Sequence, residues 1–267
     1  MKQQLIKPIV RIGNSSGVVL PKEWLNKKAR IELIQESFSD IIKNIFKILE
    51  ENSLLQDTIG IYLCGSYARD EQRDDSDVDL LVITSNINKR IKKDVYDVTL
   101  ISKDNVEKSL KNQILPILPM LKEAKPILNK DLLENYKRTP LTKKNLRWHI
   151  ETTKSAIKMN KYHIKLSEEL SEKDAGDAVA YSLVLRIREA LIIDSLRKNK
   201  ISSKKELIDV IKKVAGSDSA YKGYIYSKEN PSKQMKNILP IEEAKKLLSY
   251  LENKIKEQEK WLREKKD

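Results

Sequence analysis

The N-terminal part of the chain contains short runs in which apolar and polar residues alternate. Strands are predicted at 5–12, 18–20 and 30–34. A turn cluster at 14–17 separates the first two strands, and Pro21 ends the second and begins a short helical turn. Residues 1–35 are therefore predicted to form a small β-hairpin domain.

The rest of the chain is dominated by helical spacing, with a block of strands near its centre. Apolar residues recur every three or four positions from Ser39, and almost the whole chain beyond Asp104 is predicted to be helical, divided by prolines. Strands are predicted at 59–63, 77–84 and 95–101. The fold class is therefore α+β, with a sheet-containing central domain at 36–130 and a helical domain at 131–267.

Composition and charge narrow the classes of partner. The 267-residue chain is 40% hydrophobic and has a net charge of +13, so it can bury a core and favours anionic partners such as nucleic acid or nucleotides. The net charge is +5 over 1–35 (7 basic, 2 acidic), −2 over 36–130 (14 basic, 16 acidic) and +10 over 131–267 (31 basic, 21 acidic). The acidic centre suggests metal ligands, whereas a lysine-rich solvated surface is the alternative interpretation of the charge.

Cysteine content and hydropathy indicate the compartment. Cys64 is the only cysteine and has no partner for an internal disulfide, as is typical of a reducing cytosol. No run approaches the roughly 18 apolar residues of a membrane helix, and the N-terminus lacks a signal-peptide pattern. We expect a cytoplasmic protein without a membrane partner.

The most informative residues lie where the predicted central strands begin or end. Gly65 and Ser66 follow a strand and open a short helix, an arrangement that suits phosphate binding. Asp77 and Asp79 are two apart on a strand, so both side chains are expected on one face, where a cation such as Mg²⁺ would offset their repulsion. Asp97 is the expected third acid, on a neighbouring strand. The alternative interpretation is that these are ordinary turn and strand-edge residues with no part in a functional site.

This combination resembles the nucleotidyltransferase fold of the DNA polymerase β superfamily, in particular its minimal, kanamycin-nucleotidyltransferase-like branch. The resemblance covers roughly residues 38–105 and implies a mixed sheet with helices. It implies that Asp77 and Asp79 hold two Mg²⁺ ions, and that Asp97 ligates the ion that activates an acceptor hydroxyl. The substrate would be a nucleoside triphosphate (NTP).

The resemblance also assigns the phosphate contacts, with two departures from the family pattern. Gly65 and Ser66 would bind the β- and γ-phosphates, and Arg69 would steady the triphosphate. Asp70 replaces the usual glycine after Arg69 and is interpreted as a solvated helix residue. The segment before Asp97 is short, so the usual helix there is expected to be lost or reduced to a turn.

The N-terminal stretch around the 13–17 turn looks like an AbrB/MazE-type swapped-hairpin domain over residues 3–35, although it lacks the customary glycine before the last strand. The resemblance implies a homodimer and a basic face for DNA. The candidate phosphate contacts on DNA are Arg11, Lys22, Lys27, Lys28 and Arg30. A dimerisation module without DNA contact is the alternative.

The C-terminal helices resemble the helical substrate-binding domain of minimal nucleotidyltransferases. Arg186 and Arg188 either face the nucleotide cleft or take part in a structural salt bridge. Three tyrosines, Tyr221, Tyr224 and Tyr226, either stack on bases or pack in the core. Neither histidine is preceded by an arginine at the spacing of a HEPN ribonuclease motif.

Three hypotheses of function follow. The leading one is an Mg²⁺-dependent nucleotidyltransferase that moves a nucleoside monophosphate (NMP) to a hydroxyl of a small molecule, protein or RNA and releases pyrophosphate. The second is a DNA-binding regulator or antitoxin-like protein whose catalytic module senses nucleotides or is inert. The third is an RNA-terminal transferase, suggested by the basic C-terminal region.

Overall fold

The computed structural model describes residues 5–7, 9–32, 36–73, 76–230 and 239–264. The chain divides into two compact units, Met1–Ser37 and Phe38–Asp267. The predicted boundary at residue 130 falls inside the second unit and stays a prediction. In the described part of the chain, no helix is both long and apolar enough to cross a membrane.

The first unit is built on a two-stranded antiparallel hairpin. Strand β1 (Ile9–Ile12) pairs with β2 (Ser15–Val18) across a two-residue loop whose first residue, Gly13, has a φ of +59°, which suits a tight hairpin turn. The second strand therefore lies earlier than predicted, because the tight turn ends at residue 14. A 3₁₀ helix at Lys22–Trp24 confirms the predicted helical turn. Residues 30–32 of the predicted third strand are not in a strand, and residues 33 and 34 lie outside the described residues.

The second unit contains a five-stranded mixed sheet. Its strands are β3 (Thr58–Leu63), β4 (Val78–Thr84), β5 (Lys89–Lys93), β6 (Tyr96–Ser102) and β7 (Lys125–Leu128), in the order β5-β6-β4-β3-β7. Strands β4 and β6 are parallel, and the other pairs are antiparallel. The α+β class with a mixed sheet is confirmed, as are the three central strands that the sequence predicts.

The helices of the second unit lie before, between and after the strands. Those around the sheet are α1 (Phe38–Glu51), α2 (Gly65–Ala68), α3 (Lys103–Asn112), α4 (Ile117–Glu123) and α5 (Lys130–Lys137). Those that follow are α6 (Lys143–Glu169), α7 (Asp177–Arg197), α8 (Lys204–Ala215), α9 (Ser219–Glu229) and α10 (Ile241–Glu264). A capping box between Thr142 and Asn145 fixes the start of the long α6.

Both faces of the sheet are buried. Successive residues of a strand point to opposite faces, so Leu80 and Val82 of β4 pack in the cluster that contains α1, while Leu81 and Ile83 pack with the later helices. Strand β4, with strand neighbours on both sides and helices over both faces, is therefore fixed in position. Asp79, the second residue of this strand, is held in position with it.

Candidate active site

Two of the three predicted acids lie side by side on neighbouring parallel strands. In the β4–β6 register, Asp79 is paired with Asp97, so their side chains lie on the same face of the sheet, on strands about 4.8 Å apart. Asp79 is half-buried and Asp97 is buried. Asp77 precedes the first residue of β4 and is exposed. The structure therefore places the three predicted acids near the beginning of β4 and β6, with different access to solvent, and Asp77 lies just before the strand rather than on it.

The turn at Gly65 lies directly against Asp79. The backbone N–H of Cys64 donates to the Asp79 carbonyl at 2.8 Å, and Gly65 has a φ of +65°. A Cβ atom on Gly65 would lie 2.1 Å from Oδ2 of Asp79, so only glycine allows this approach. Ser66, the next residue, is half-buried at the start of α2. The predicted phosphate turn and the predicted metal-ligand strand are thus in contact.

Glu123, which sequence reasoning missed, connects the turn to Arg69. Its Oε1 accepts the Gly65 N–H at 3.0 Å, and its Oε2 accepts Nη1 of Arg69 at 2.6 Å. Glu123 is the last residue of α4, 44 positions after Asp79 in the sequence. A single glutamate at the end of a short, mostly apolar helix carries no motif, so only the fold identifies it.

The acids around Asp79 repel one another. Burial raises the pKa of Asp79, and the charges of Asp97, Asp77 and Glu123 raise it further, while Arg69 lowers it. A half-buried carboxylate held among three others is a costly arrangement unless a cation lies nearby. The site is therefore electrostatically suited to a positively charged ligand.

Asp97 differs from Asp79 because cations already surround it. Nε of Arg90 donates to Oδ1 of Asp97 at 2.6 Å, and another guanidinium nitrogen donates to Oδ2. Nζ of Lys92 lies 3.3 Å from the same Oδ2. The hydrogen bonds from Arg90 hold the pKa of Asp97 below its ordinary value. Arg90 and Lys92 belong to the edge strand β5. The sequence predicts no strand in this segment, only a turn or a lost helix.

The donor set fits a divalent cation only in part. Asp77 and Asp79 offer the hard oxygen ligands that Mg²⁺ prefers, and the charges of three neighbouring carboxylates add to burial in raising the pKa of Asp79. Both oxygens of Asp97, however, accept hydrogen bonds from Arg90. Across the described ranges, no group of three or more His, Cys, Asp or Glu side chains is arranged to hold a metal ion. The three-acid metal set stays a prediction.

Two residues beside the site have structural roles. Asp70 follows the end of α2 at a φ of +57°, and its carboxylate accepts Nζ of Lys125 at 2.7 Å. Asp70 is exposed as expected, but it lies in a left-handed turn and not in a helix, which explains why glycine suits this position. Cys64 is buried with an exposed fraction of 2%, and burial raises the pKa of its thiol. Cys64 lies between the end of β3 and the start of α2.

The candidate residues of the C-terminal helices are engaged with each other. Nη1 of Arg186 donates to Glu189 at 2.8 Å, which is the structural salt bridge considered above. The ring of Tyr224 is buried and stacks on Tyr181 with centroids 5.3 Å apart, and Nη1 of Arg188 lies 3.5 Å from its hydroxyl. These contacts favour the packing interpretation for Tyr224 over base stacking.

The five candidate DNA contacts of the first unit are all exposed: Arg11, Lys22, Lys27, Lys28 and Arg30. Nε of Arg11 donates to the carbonyl of Gly13 at 3.0 Å, which fixes its side chain along the hairpin. Exposure leaves these cations accessible to an anionic polymer, and DNA binding stays a prediction.

Comparison with known proteins gives one family match. The sequence model of the family described as "Nucleotidyltransferase domain" matches residues 42–210, which include both the sheet and the first long helices. The match does not extend to the hairpin unit, whose AbrB/MazE-type resemblance is unconfirmed. No curated protein matched the chain.

Two solved structures are similar to the chain at a low level. One is a nucleotidyltransferase-like protein from Exiguobacterium sibiricum 255-15, at 15% identity and a TM-score of 0.40, covering 82% of this chain and 75% of that one. The other is the spectinomycin adenyltransferase of Enterococcus faecialis with ATP and spectinomycin, at 16% identity and a TM-score of 0.42, covering 82% and 100%. These scores are too low to add weight to the family match.

Proposed function

Because the chain belongs to the nucleotidyltransferase domain family and is a nucleotidyltransferase acting on a nucleoside triphosphate, we propose that it moves an NMP from an NTP to an acceptor hydroxyl and releases pyrophosphate, with Mg²⁺ as cofactor. One observation carries the proposal: the Gly65 turn lies against Asp79, which in turn is register-paired with Asp97. A phosphate-binding turn and paired carboxylates in contact are what in-line transfer at a metal-bound phosphate requires.

In this proposal Asp77 and Asp79 hold the cation, and Gly65, Ser66 and Arg69 bind the phosphates. When bound, the ion would neutralise phosphate charge and orient the α-phosphorus. The N–H of Gly65 and the guanidinium of Arg69 already hold one anionic group, the carboxylate of Glu123. The same two donors suit a phosphate oxygen. Asp97 is the proposed carboxylate on the acceptor side.

Three acceptor classes fit this chemistry: a small molecule, a protein hydroxyl and the 3′ end of an RNA. The test is to incubate the protein with each NTP, Mg²⁺ and a member of each class, and to measure pyrophosphate release. We expect release by the wild type and none by Asp77→Ala plus Asp79→Ala. The matched control is Asp104→Ala plus Asp131→Ala, which removes two exposed carboxylates from α3 and α5 and is expected to leave release unchanged. Equal release by the Asp77/Asp79 variant and the wild type would remove the proposed site.

We further propose that the hairpin unit pairs with the same unit of a second chain, and that the paired hairpins contact DNA. The supporting observation is the exposure of its apolar side chains, among them Ile6 at 80%, Leu25 at 73%, Ile31 at 66% and Val19 at 65%. A two-stranded hairpin with such a surface is only marginally stable alone, whereas pairing buries the surface.

Light scattering on the full chain tests the pairing, and a gel shift at low salt tests the DNA contact. We expect a dimer, and a monomer for Ile12→Glu, which places a charge on β1. A monomeric wild type would contradict the pairing. A wild type that shifts no DNA at low salt would contradict the DNA contact while leaving the pairing intact.

A further inference from the structure

Strand β5 places two cations on the face of the sheet that carries the acids. In the antiparallel β5–β6 register, Lys92 lies opposite Asp97, and Arg90 lies opposite Thr99. Directly opposed residues share a face, so both cations lie beside Asp97, while Ile91 between them points to the core that contains α1. The alternation of the strand therefore directs the cations of β5 at the acid of β6.

The contact of Arg90 with Asp97 is the bidentate type. Two guanidinium nitrogens donate to the two carboxylate oxygens, and Lys92 adds a third cationic contact. Asp97 is only 8% exposed, whereas the side chains of Arg90 and Lys92 are 63% and 66% exposed. A planar guanidinium matches both oxygens at once, which makes such pairs strong and directional. A metal ion at Asp97 would have to compete with Arg90 and Lys92 for the two carboxylate oxygens.

The cations also change the charge of the site. Five carboxylates and three cations surround it: Asp77, Asp79, Asp97, Glu123 and Glu71, with Arg69, Arg90 and Lys92. Arg90 and Lys92 therefore reduce the net charge of the site from −4 to −2. One divalent cation offsets the charge that remains, so that the site no longer repels a polyanionic triphosphate.

We propose that Arg90 and Lys92 take the place of a second metal ion at Asp97, so that the site binds one divalent cation, at Asp77 and Asp79. The inference rests on the proposed function and changes the number of ions that the family resemblance implies. Arg90 is a positioning residue in this account: it holds Asp97 by both oxygens and supplies fixed positive charge at the edge of the site.

Mn²⁺ bound to the full chain in the presence of tripolyphosphate tests the proposal by electron paramagnetic resonance. Two Mn²⁺ ions in a two-metal site lie about 4 Å apart and couple magnetically, whereas a single ion does not. We expect an uncoupled signal from one bound Mn²⁺ per wild-type chain, lost in Asp77→Ala plus Asp79→Ala. A coupled pair in the wild type would overturn the inference and leave the proposed function standing. No bound Mn²⁺ would overturn the proposed metal site itself.

Variants of β5 test whether Arg90 and Lys92 are the reason that only one ion binds. Arg90→Ala plus Lys92→Ala frees both oxygens of Asp97 and is expected to bind a second, coupled Mn²⁺. Lys89→Ala is the matched control, because Lys89 lies on the same strand but alternates to the other face, and it is expected to bind one ion. A double variant that folds, as judged by circular dichroism, and still binds one ion would contradict the role of these cations. If it does not fold, the wild-type count decides.

Discussion

Replacing Gly65 by alanine tests whether the contact between the turn and Asp79 is needed for function. The new Cβ would lie 2.1 Å from Oδ2, 2.9 Å from Cγ and 3.1 Å from Cβ of Asp79. It would also have to adopt a φ of +65°. Both the backbone and the carboxylate are therefore affected by a single methyl group.

The two effects have different magnitudes. An alanine in the left-handed region costs about 1–2 kcal/mol of folding free energy, partly offset by the lower entropy of its unfolded chain. Relieving the contact requires the carboxylate or the turn to move by roughly 1 Å, and a misplacement of that size in a catalytic site costs about 10²-fold in rate. A 10²-fold loss of rate corresponds to about 2.7 kcal/mol of activation free energy, so function should fall further than stability.

The matched control is Gly216→Ala at the end of α8. Gly216 also has a positive φ, +99°, but an added Cβ would meet no heavy atom of the described residues within 4 Å. We expect both variants to lose about 1 kcal/mol of stability in urea denaturation. Only Gly65→Ala should lose pyrophosphate release and Mn²⁺ binding. A Gly65→Ala protein with wild-type release and Mn²⁺ affinity would refute the reasoning.

Three further results are expected. Asp79→Asn should melt at a higher temperature than the metal-free wild type at neutral pH, because burial and neighbouring carboxylates raise the pKa of Asp79 and make its charged form unfavourable in the folded state. The difference should shrink as the pH falls through this raised pKa and vanish by about pH 4, the ordinary pKa of an aspartate; an equal difference at low pH would contradict this. Asp70→Gly should stay within about 1 kcal/mol of the wild type and Asp70→Val should lose more, because Asp70 has a φ of +57°; equal urea midpoints would argue against it. Cys64 should resist iodoacetamide in the native protein and react after unfolding, because burial raises its pKa; rapid native labelling would show that the thiol is accessible.

The strands with clear apolar patterns could be predicted from the sequence, and the edge strands could not. Buried strands such as β4 are runs of apolar residues, which periodicity detects. Strand β5 has four cations in five residues, and β7 contains Pro126, both typical of sheet edges that avoid pairing with other chains. Such edges carry no alternating signal, because their partner strand determines their structure.

The residues of the site also divide into those that the sequence predicts and those that only the fold reveals. Gly65, Asp79 and Asp97 could be predicted as site residues because local spacing and apolar flanks place each of them at the end of a different buried strand. Glu123 and Arg90 could not, because they reach the site through a helix end and an edge strand that only the fold brings together. The sequence therefore predicts the acids, whose catalytic roles stay a prediction, but it does not reveal Glu123 and Arg90, which contact the site in the fold.

The most direct test of the central claim is the fate of the label when the protein acts on NTP labelled on either the α- or the γ-phosphorus. Transfer of an NMP predicts that the α-label appears on the acceptor while the γ-label is released in pyrophosphate. Both should depend on Asp77 and Asp79. Transfer of the γ-label to the acceptor, or release of the γ-label as inorganic phosphate with no α-label transferred, would contradict nucleotidyl transfer.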